Sequence, residues 1–189
     1  MAVQPIVPIG DPVLRKATAL VPESEIGSPN VQRLIDDLID TMHDAHGAGI
    51  AATQIGVGLR VMTVEVKNNP RYPYKPAIPL TVAINPVATP LDDEMVTINE
   101  GCLSVPLRGD LQRNVNVEVS YFDRQGRPHT EIKRGLTAGT WQHECDHLDG
   151  TLIVDRIDPR TMSTWEQFDR HQRADFIERI STFVDRIGS

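Results

Sequence analysis

The sequence has few cysteines and no long apolar run. Two cysteines, Cys102 and Cys145, occur in 189 residues. In an intracellular chain such a pair is more often a metal ligand, a nucleophile or a bystander than a disulfide. No stretch approaches the roughly 20 apolar residues that cross a bilayer, and the first residues lack the basic segment and apolar run of a signal peptide. These absences predict a cytoplasmic protein without a membrane segment.

The sequence also has fewer basic residues than acidic ones. The chain has 19 Lys and Arg residues against 26 Asp and Glu residues, a formal net charge of −7. This balance gives no broad basic surface, so direct nucleic-acid binding is not expected. The length suits one domain with a substantial core, and no internal repeat or low-complexity tract divides the chain. Residues 1–189 are therefore predicted to form a single domain.

The clearest predicted helix spans residues 30–45. Apolar side chains recur there at steps of three and four residues and form one stripe. The members of this stripe are Val31, Leu34, Ile35, Leu38, Ile39 and Met42. Ser28 or Asn30 can cap the start of the helix, and Gly47 can end it.

Two further helices are predicted in the second half of the chain. One covers Leu136–Leu148, with Gly150 as its stop signal. The last begins near Ser163, whose spacing to Glu166 fits a capping box. Its apolar face comprises Phe176, Ile177, Ile180, Phe183, Val184 and Ile187.

The segment between the first two helices is rich in predicted strands. Leu59–Val66 and Val115–Phe122 have β-branched and alternating patterns, and Thr81–Asn85 is a short apolar run that ends at Pro86. Residues 68–79 contain four prolines and are predicted to form an ordered surface loop, not a domain linker. Helix, strands, helix and late helix in this order favour an α+β fold over a parallel doubly wound sheet.

His143 and His147 frame an H-E-x-x-H sequence within the second predicted helix. Residues four apart lie one turn apart on the same face, so both imidazoles can bind one cation. Glu144 lies about 100° around the helix from His143, where it can approach a metal-activated water without being a ligand. This is the spacing of a metallohydrolase, although isolated H-E-x-x-H runs also occur as exposed helical segments with no such role.

The third ligand distinguishes the classes of metallohydrolase. A metzincin needs a further histidine where Ile153 stands, which excludes that class. A peptidase using a downstream glutamate would recruit Glu166 or Glu178, but neither lies in a second motif. The remaining soft donor is Cys102, which is predicted to lie on a short strand beside a glycine. Two imidazoles, one thiolate and an open position make a plausible catalytic site.

Two other candidate residues have different interpretations. Cys145 lies two positions from each histidine, so it points away from the metal and is predicted to be a small core residue. Residues 47–54 look like a dinucleotide-binding loop, but that fingerprint needs a preceding strand and a following helix, and here the order is reversed. The glycines instead allow a substrate backbone to come close, and Gln54 offers an amide to a developing oxyanion.

Three segments together, in this order, resemble the peptide deformylase family. GAGIAATQ, EGCLSV and QHECDHLDG match its three characteristic motifs, and GDPVLRKA matches its N-terminal signature. The resemblance covers nearly the whole chain. It implies antiparallel or mixed sheets packed around a central H-E-x-x-H helix, with an N-terminal helix and a C-terminal helix. It also implies a catalytic domain that removes the N-formyl group from nascent polypeptides beginning with formyl-methionine and releases formate.

The resemblance also implies roles for individual residues. By motif position the metal ligands are Cys102, His143 and His147. Glu144 would handle the proton, and the Gln54 amide and the Leu103 N–H would stabilise the oxyanion. The expected metal is ferrous iron, with zinc, nickel or cobalt as substitutes; the ligands alone suit any of these.

Substrate contacts can be assigned in the same way. Ala48 and Gly49, in the stretch 47–50, are expected to pair with the substrate backbone like an added strand. Ile98 and Leu136 are candidates for the pocket that receives the methionine side chain, with simple core packing as the alternative.

Two departures from the family pattern affect the edges of the site. The run after the cysteine motif, residues 106–114, keeps an arginine at Arg113 but has different neighbours, and we predict that Arg113 pairs with Glu100 behind the site. Ribosome docking in some relatives uses a basic C-terminal helix. Residues 162–189 are of mixed charge, so docking through them is doubtful.

Two alternative functions remain open on the residues alone. A metallopeptidase would cleave acetylated or unblocked peptides as readily as formylated ones. A non-enzymatic metal-binding module would retain metal without turnover, and the presence of Gln54 and Glu144 argues against it.

Overall fold

The computed structural model describes residues 2–188, which contain four α-helices and eight β-strands. The helices are α1 Pro29–Asp44, α2 Gly135–Leu148, α3 Trp165–His171 and α4 Arg173–Ile187. The strands are β1 Gly49–Ala51, β2 Val61–Val66, β3 Ile78–Pro90, β4 Met95–Gly101, β5 Leu107–Asn114, β6 Asn116–Phe122, β7 Pro128–Arg134 and β8 Ser163–Thr164.

The strands form two antiparallel sheets. The larger has the order β1-β2-β3-β6-β7 and the smaller the order β4-β5-β8. Every strand pairing in both sheets is antiparallel. The prediction of an α+β fold is therefore confirmed, and the sheets are antiparallel, not mixed.

Helix α2 contacts strands of both sheets. It contacts β1, β2, β3, β6 and β7 of the larger sheet and β5 of the smaller one. Trp141 is fully buried on this helix, and its ring centroid lies 5.1 Å from that of Tyr121 on β6. A helix packed this way holds its side chains rigidly between the sheets. Its predicted bounds, 136–148, are correct to one residue.

Helix α1 also matches its prediction closely. Ser28 caps it, since the Ser28 hydroxyl accepts a hydrogen bond from the Val31 N–H at 3.3 Å. The end of the helix differs from the prediction, because His46, with a φ of 50°, adopts the left-handed conformation instead of Gly47. The Gly47 N–H then donates to the Met42 carbonyl at 2.9 Å, which closes the last turn.

Strand β3 does not end at Pro86 as predicted but continues to Pro90. The pairing of β3 with β6 shifts register at this point, and such a bulge accommodates a residue without an N–H donor. Asn85 has a φ of 55° there, and its side chain pairs with both backbone groups of Val21 at 2.9 and 2.8 Å.

The C-terminal segment differs from the prediction in two ways. Thr164, and not Ser163, caps α3, because its hydroxyl accepts from the Gln167 N–H at 3.3 Å. Ser163 is instead part of β8. The predicted single helix is interrupted at Gln172, which separates α3 from α4.

The predicted loop, residues 68–79, connects β2 and β3, but its last two residues, Ile78 and Pro79, already belong to β3. Over residues 2–188, no helix is both long and apolar enough to cross a membrane.

Candidate metal centre

Three potential metal ligands meet where α2 approaches the smaller sheet. His143 and His147 lie one turn apart on α2, with ring centroids 5.1 Å apart. Cys102 follows the last residue of β4 directly, so it lies in the adjoining loop and not on a strand as predicted. One ligand atom from each of the three residues lies within 4.8 Å of the others. All three side chains are largely shielded from solvent.

The donor set fits a divalent metal ion. The Cys102 Sγ lies 3.2 Å from the His147 Nε2. Ligand atoms on a tetrahedral centre would be separated by roughly 3.3–3.6 Å, so this pair already lies close to the separation that binding requires. Burial and the nearby positive charge of His143 lower the pKa of His147 well below its usual value. The imidazole of His147 is therefore neutral, as a ligand must be. Burial lowers the pKa of His143, but hydrogen bonds with Cys102 and Glu100 raise it well above its usual value, so His143 must release a proton when it binds a metal ion.

Glu100 orients His143 from behind. The Glu100 carboxylate accepts from the His143 Nδ1 at 2.9 Å, which leaves the Nε2 side of the ring for the metal. Arg113 donates to both oxygens of Glu100, each at 2.9 Å, as predicted from the sequence. Arg113 also donates to Asp146 at 2.5 Å.

The charge of the Glu100 carboxylate is balanced by the Arg113 guanidinium. Burial alone would raise the pKa of Glu100, but the Arg113 guanidinium and hydrogen bonds from Arg113 and His143 hold it well below its usual range. Glu100 is therefore a carboxylate at neutral pH. Arg113 is only 2% exposed, so this bidentate pair is a fixed support for the ligand helix.

Glu144 faces the cleft beside the ligands. It is buried, and its Oε2 has no hydrogen-bond partner among residues 2–188. Burial raises the pKa of Glu144 to about 7. A carboxylate with such a pKa can accept and release a proton near neutral pH. Its close neighbour is Gly49 on β1.

Gln54 and Leu103 present hydrogen-bond donors near the ligands. The Gln54 Oε1 accepts from the Ala51 N–H at 2.9 Å. The Gln54 Nε2 therefore points the other way, 3.3 Å from the Ser104 Oγ and 3.7 Å from the Cys102 Sγ. The Leu103 N–H has no acceptor within the described part of the chain. Two such donors can serve an oxygen that gains negative charge.

A cleft opens beside these groups and includes every predicted substrate-contact residue. Gly49 lines it from β1, which is an edge strand of the larger sheet, and Ala48 lines it from the residue just before that strand. Ile98 and Leu136 line another part of it. They also pack against the C-terminal helices through Phe168, Phe176 and Ile180.

Several residues that line this cleft were not predicted from the sequence. Among them are Tyr72, Tyr74, Lys75 and Thr140. The first three come from the proline-rich loop, whose composition indicates only a surface position. Thr140 lies on α2 one turn before Glu144, and that spacing alone could have placed it on the ligand side of the helix.

Cys145 is a core residue, as predicted. It is buried among residues of the larger sheet and α2, and burial raises the pKa of its thiol to about 12. It is therefore an inert apolar side chain and not a second nucleophile.

The fold and the site together define a class. An H-E-x-x-H helix between antiparallel sheets, with a cysteine placed as a potential third ligand and a buried glutamate beside an open cleft, is the arrangement typical of a metallohydrolase. The family model described as polypeptide deformylase matches residues 3–163.

Individual relatives agree with this match. The chain is 43% identical over 159 residues to a peptide deformylase of Leptospira biflexa, an alignment that covers 83% of this chain and 89% of the relative. It is 40% identical over 164 residues to peptide deformylase 2 of Nostoc sp., covering 86% and 90%.

Solved structures agree as well. The Met-Ala-Ser-bound crystal structure of the class I type b peptide deformylase from Acinetobacter baumannii superposes with a TM-score of 0.79 at 38% identity, covering 82% of this chain and 99% of that one. An actinonin-bound structure of a peptide deformylase from the same organism gives a TM-score of 0.76 at 34% identity, with coverages of 84% and 100%. The chain belongs to the peptide deformylase family. It is a hydrolase whose function is the deformylation of nascent polypeptides.

Proposed function

We propose that residues 1–189 act as one cytoplasmic catalytic domain that releases formate from N-terminal formyl-methionine at the Cys102, His143 and His147 centre. The observation that carries this proposal is the convergence of these ligands with the unpartnered Glu144 Oε2 in one open cleft. A divalent ion held there would supply Lewis-acid activation of water and of the formyl oxygen. We propose ferrous iron as that ion, with zinc, nickel or cobalt able to replace it.

The protein's own groups account for the remaining chemistry. Glu144 takes a proton from the attacking water and passes it to the departing amine. Its pKa of about 7 suits both transfers. As the formyl carbon becomes tetrahedral, its oxygen gains negative charge, and the Gln54 Nε2 and the Leu103 N–H donate to it.

The edge strand β1 supplies substrate orientation. One edge of β1 pairs with β2, with Gly49 opposite Val64 and Ile50 opposite Thr63. The free edge faces the cleft, so an extended peptide can add to it by main-chain hydrogen bonds from residues 47–50. Ala48 and Gly49 have small or absent side chains there, which allows close approach of the substrate backbone. The first side chain then reaches the apolar walls at Ile98 and Leu136.

Nascent formylated peptides are the proposed partners, with ribosome docking through α3 and α4 disfavoured. Four arginines on these helices each have an acidic residue within 4.0 Å. The pairs are Arg170 with Glu166, Arg173 with Asp169, Arg179 with Asp110 and Arg186 with Glu94. Since these charges are already balanced, the helices offer little attraction for ribosomal RNA.

The decisive experiment is turnover of formyl-Met-Ala-Ser by protein prepared anaerobically with ferrous iron. Glu144→Gln should lower kcat by about 10²–10⁴-fold and retain the metal, because all three ligands stay in place. Glu166→Gln, at a side chain 77% exposed, is the matched control and should behave like wild type. Formate release that survived in Glu144→Gln would contradict the assigned proton carrier.

A second substrate separates deformylation from general peptidase activity. Acetyl-Met-Ala-Ser carries one extra methyl group at the reacting carbonyl and should be left intact. Cleavage of this peptide, or of an internal bond, at a comparable rate would indicate a metallopeptidase instead.

A further inference from the structure

A lysine without an ion-pair partner among residues 2–188 reaches the cleft where the first side chain of a substrate would lie. Lys75 belongs to the loop between β2 and β3, and it lines the cleft together with Ile98, Leu136 and Thr140. An apolar side chain needs no ammonium group in its pocket. The position of Lys75 therefore requires a separate explanation.

The ammonium group of Lys75 has more hydrogen-bond donors than the contacts described below require. Its Nζ donates to the Thr140 Oγ1 at 2.8 Å, and the Thr140 hydroxyl donates in turn to the Leu136 carbonyl at 3.1 Å. The Nζ also lies 5.0 Å from the centre of the Tyr72 ring, whose face accepts a cation. A lysine has three N–H donors, so at least one remains unassigned.

The positive charge of Lys75 is not balanced by an ion pair within the described part of the chain. Among residues 2–188, no acidic oxygen lies within ion-pair reach of the Lys75 Nζ. Burial accordingly lowers the pKa of Lys75, an effect only partly offset by the more distant Glu100 and Glu144. The group donates hydrogen bonds whether protonated or neutral. A ligand that supplied an acceptor would relieve the desolvation of this nitrogen.

The chemistry of the first residue limits what that acceptor can be. Formylated chains begin with methionine, whose thioether is a weak acceptor. Oxidation adds one oxygen to the sulfur and gives a polar sulfoxide in a side chain of nearly the same length. That oxygen is a strong acceptor at the end of the side chain, where Lys75 and Thr140 lie.

We propose that Lys75 adapts the first-residue pocket to methionine sulfoxide, so that this enzyme deformylates peptides whose initiating methionine has been oxidised. The inference rests on the proposed function and adds a substrate class to it. Ile98 and Leu136 contact the methylene groups, while the Lys75 ammonium donates to the sulfoxide oxygen. Norleucine, which matches methionine in length but has no sulfur, would leave the ammonium unsatisfied.

The test compares three peptides, formyl-Met(O)-Ala-Ser, formyl-Met-Ala-Ser and formyl-norleucine-Ala-Ser. For wild type, kcat/KM should be higher for the sulfoxide than for norleucine. Turnover of norleucine equal to or faster than turnover of the sulfoxide would overturn the proposal without any variant. Absence of formate from all three peptides would instead contradict the proposed function itself.

Lys75→Met tests the residue directly. It keeps side-chain length but removes the donor, so the ratio of sulfoxide to norleucine turnover should fall about tenfold or more. Lys75→Gln retains an amide donor and should keep part of the preference. Lys67→Met removes an equal charge from an exposed site outside the cleft lining and should leave the ratio unchanged. An unchanged ratio in a folded Lys75→Met protein, or an equal fall in Lys67→Met, would contradict the proposed contact.

Discussion

Gly49 and Glu144 fit together so closely that the strand position has no room for a side chain. A Cβ atom on Gly49 would lie 2.5 Å from the Glu144 Oε1 and 2.8 Å from its Cδ. Because Gly49 has no side chain, the carboxylate of Glu144, the proposed proton carrier on α2, can lie directly against β1. The contact would connect the proposed substrate alignment with the proposed proton transfer, because Gly49 takes part in both.

The first prediction follows from this contact. Gly49→Ala should displace the Glu144 carboxylate by about 1 Å and lower kcat on the order of 100-fold. Metal content should stay at the wild-type level, because Glu144 is not a ligand. Gly27→Ala is the matched control, since a Cβ there meets nothing within 4 Å. Full activity in Gly49→Ala would show that the position of Glu144 is not critical.

The buried arginine supports the second prediction. Arg113→Ala would leave the Glu100 and Asp146 carboxylates without their shared cation, and we expect the free energy of unfolding to fall by about 3–5 kcal/mol. Denaturant unfolding of the apo- and metal-loaded forms would measure this change. Arg160→Ala removes an ion pair whose arginine side chain is 88% exposed and should change stability little. Equal effects of the two substitutions would contradict the assigned support.

The tyrosines allow a pH prediction. Burial raises the pKa of Tyr72 and raises that of Tyr74 to about 12. Burial and the hydrogen bond to Glu131 raise the pKa of Tyr121. The chain has only these three tyrosines, so the folded protein should show little phenolate absorbance at about pH 10, where an unfolded chain would be half ionised.

The same shifts predict how stability changes with pH. Above about pH 10 the unfolded chain loses protons that the folded chain keeps. Stability should therefore be fully present below that pH and decline towards about pH 12, where Tyr74 ionises in the folded state. Near-ultraviolet titration with parallel unfolding curves would check both points. Early phenolate absorbance in the folded protein would contradict the buried placement of these rings.

The C-terminal helices lie beyond the residues that the family model matches, yet they support the cleft. The Phe176 ring contacts the Tyr74 ring edge to face, with centroids 5.1 Å apart. Phe176→Leu should loosen Tyr74 and raise KM for formyl-Met-Ala-Ser about two- to tenfold. Phe183→Leu, on the same helix without this contact, should not. An unchanged KM in Phe176→Leu would separate the helix from substrate binding.

Patterns of apolar residues predicted the helices and strands that bury a face made of apolar side chains alone. Helix α1 was placed to within one residue at each end because its apolar stripe alone determines which face is buried. Strand β5 was missed because its inward side chains include Arg108 and Arg113. Their burial depends on Asn99 and Glu100 on the neighbouring strand, and no local pattern contains that information.

The other missed strands have related causes. Strand β7 is an edge strand with mainly polar side chains, so its sequence resembles a loop. Strand β4 mixes apolar residues with Asn99 and Glu100, whose side-chain partners come from β5 and α2.

The candidate site was predictable where residues occur in compact motifs. Cys102, His143 and His147 could be grouped from the sequence because their spacing and donor types are specific. Lys75 could not be placed, since its contact with Thr140 spans 65 positions. The interpretation of residues 68–79 as a loop was correct up to residue 77, but it gave no indication that Lys75 lines the cleft.

The position of Cys102 has a consequence for folding. Cys102 comes directly after strand β4 of the smaller sheet. His147 lies 45 positions later on helix α2, which packs on the larger sheet. An ion bound by both is a reversible cross-link, comparable to a disulfide that closes a loop of similar length. Because ligands bind the folded state preferentially, the midpoint of thermal unfolding should depend on free metal concentration. A chelator would then act on this protein as a mild denaturant.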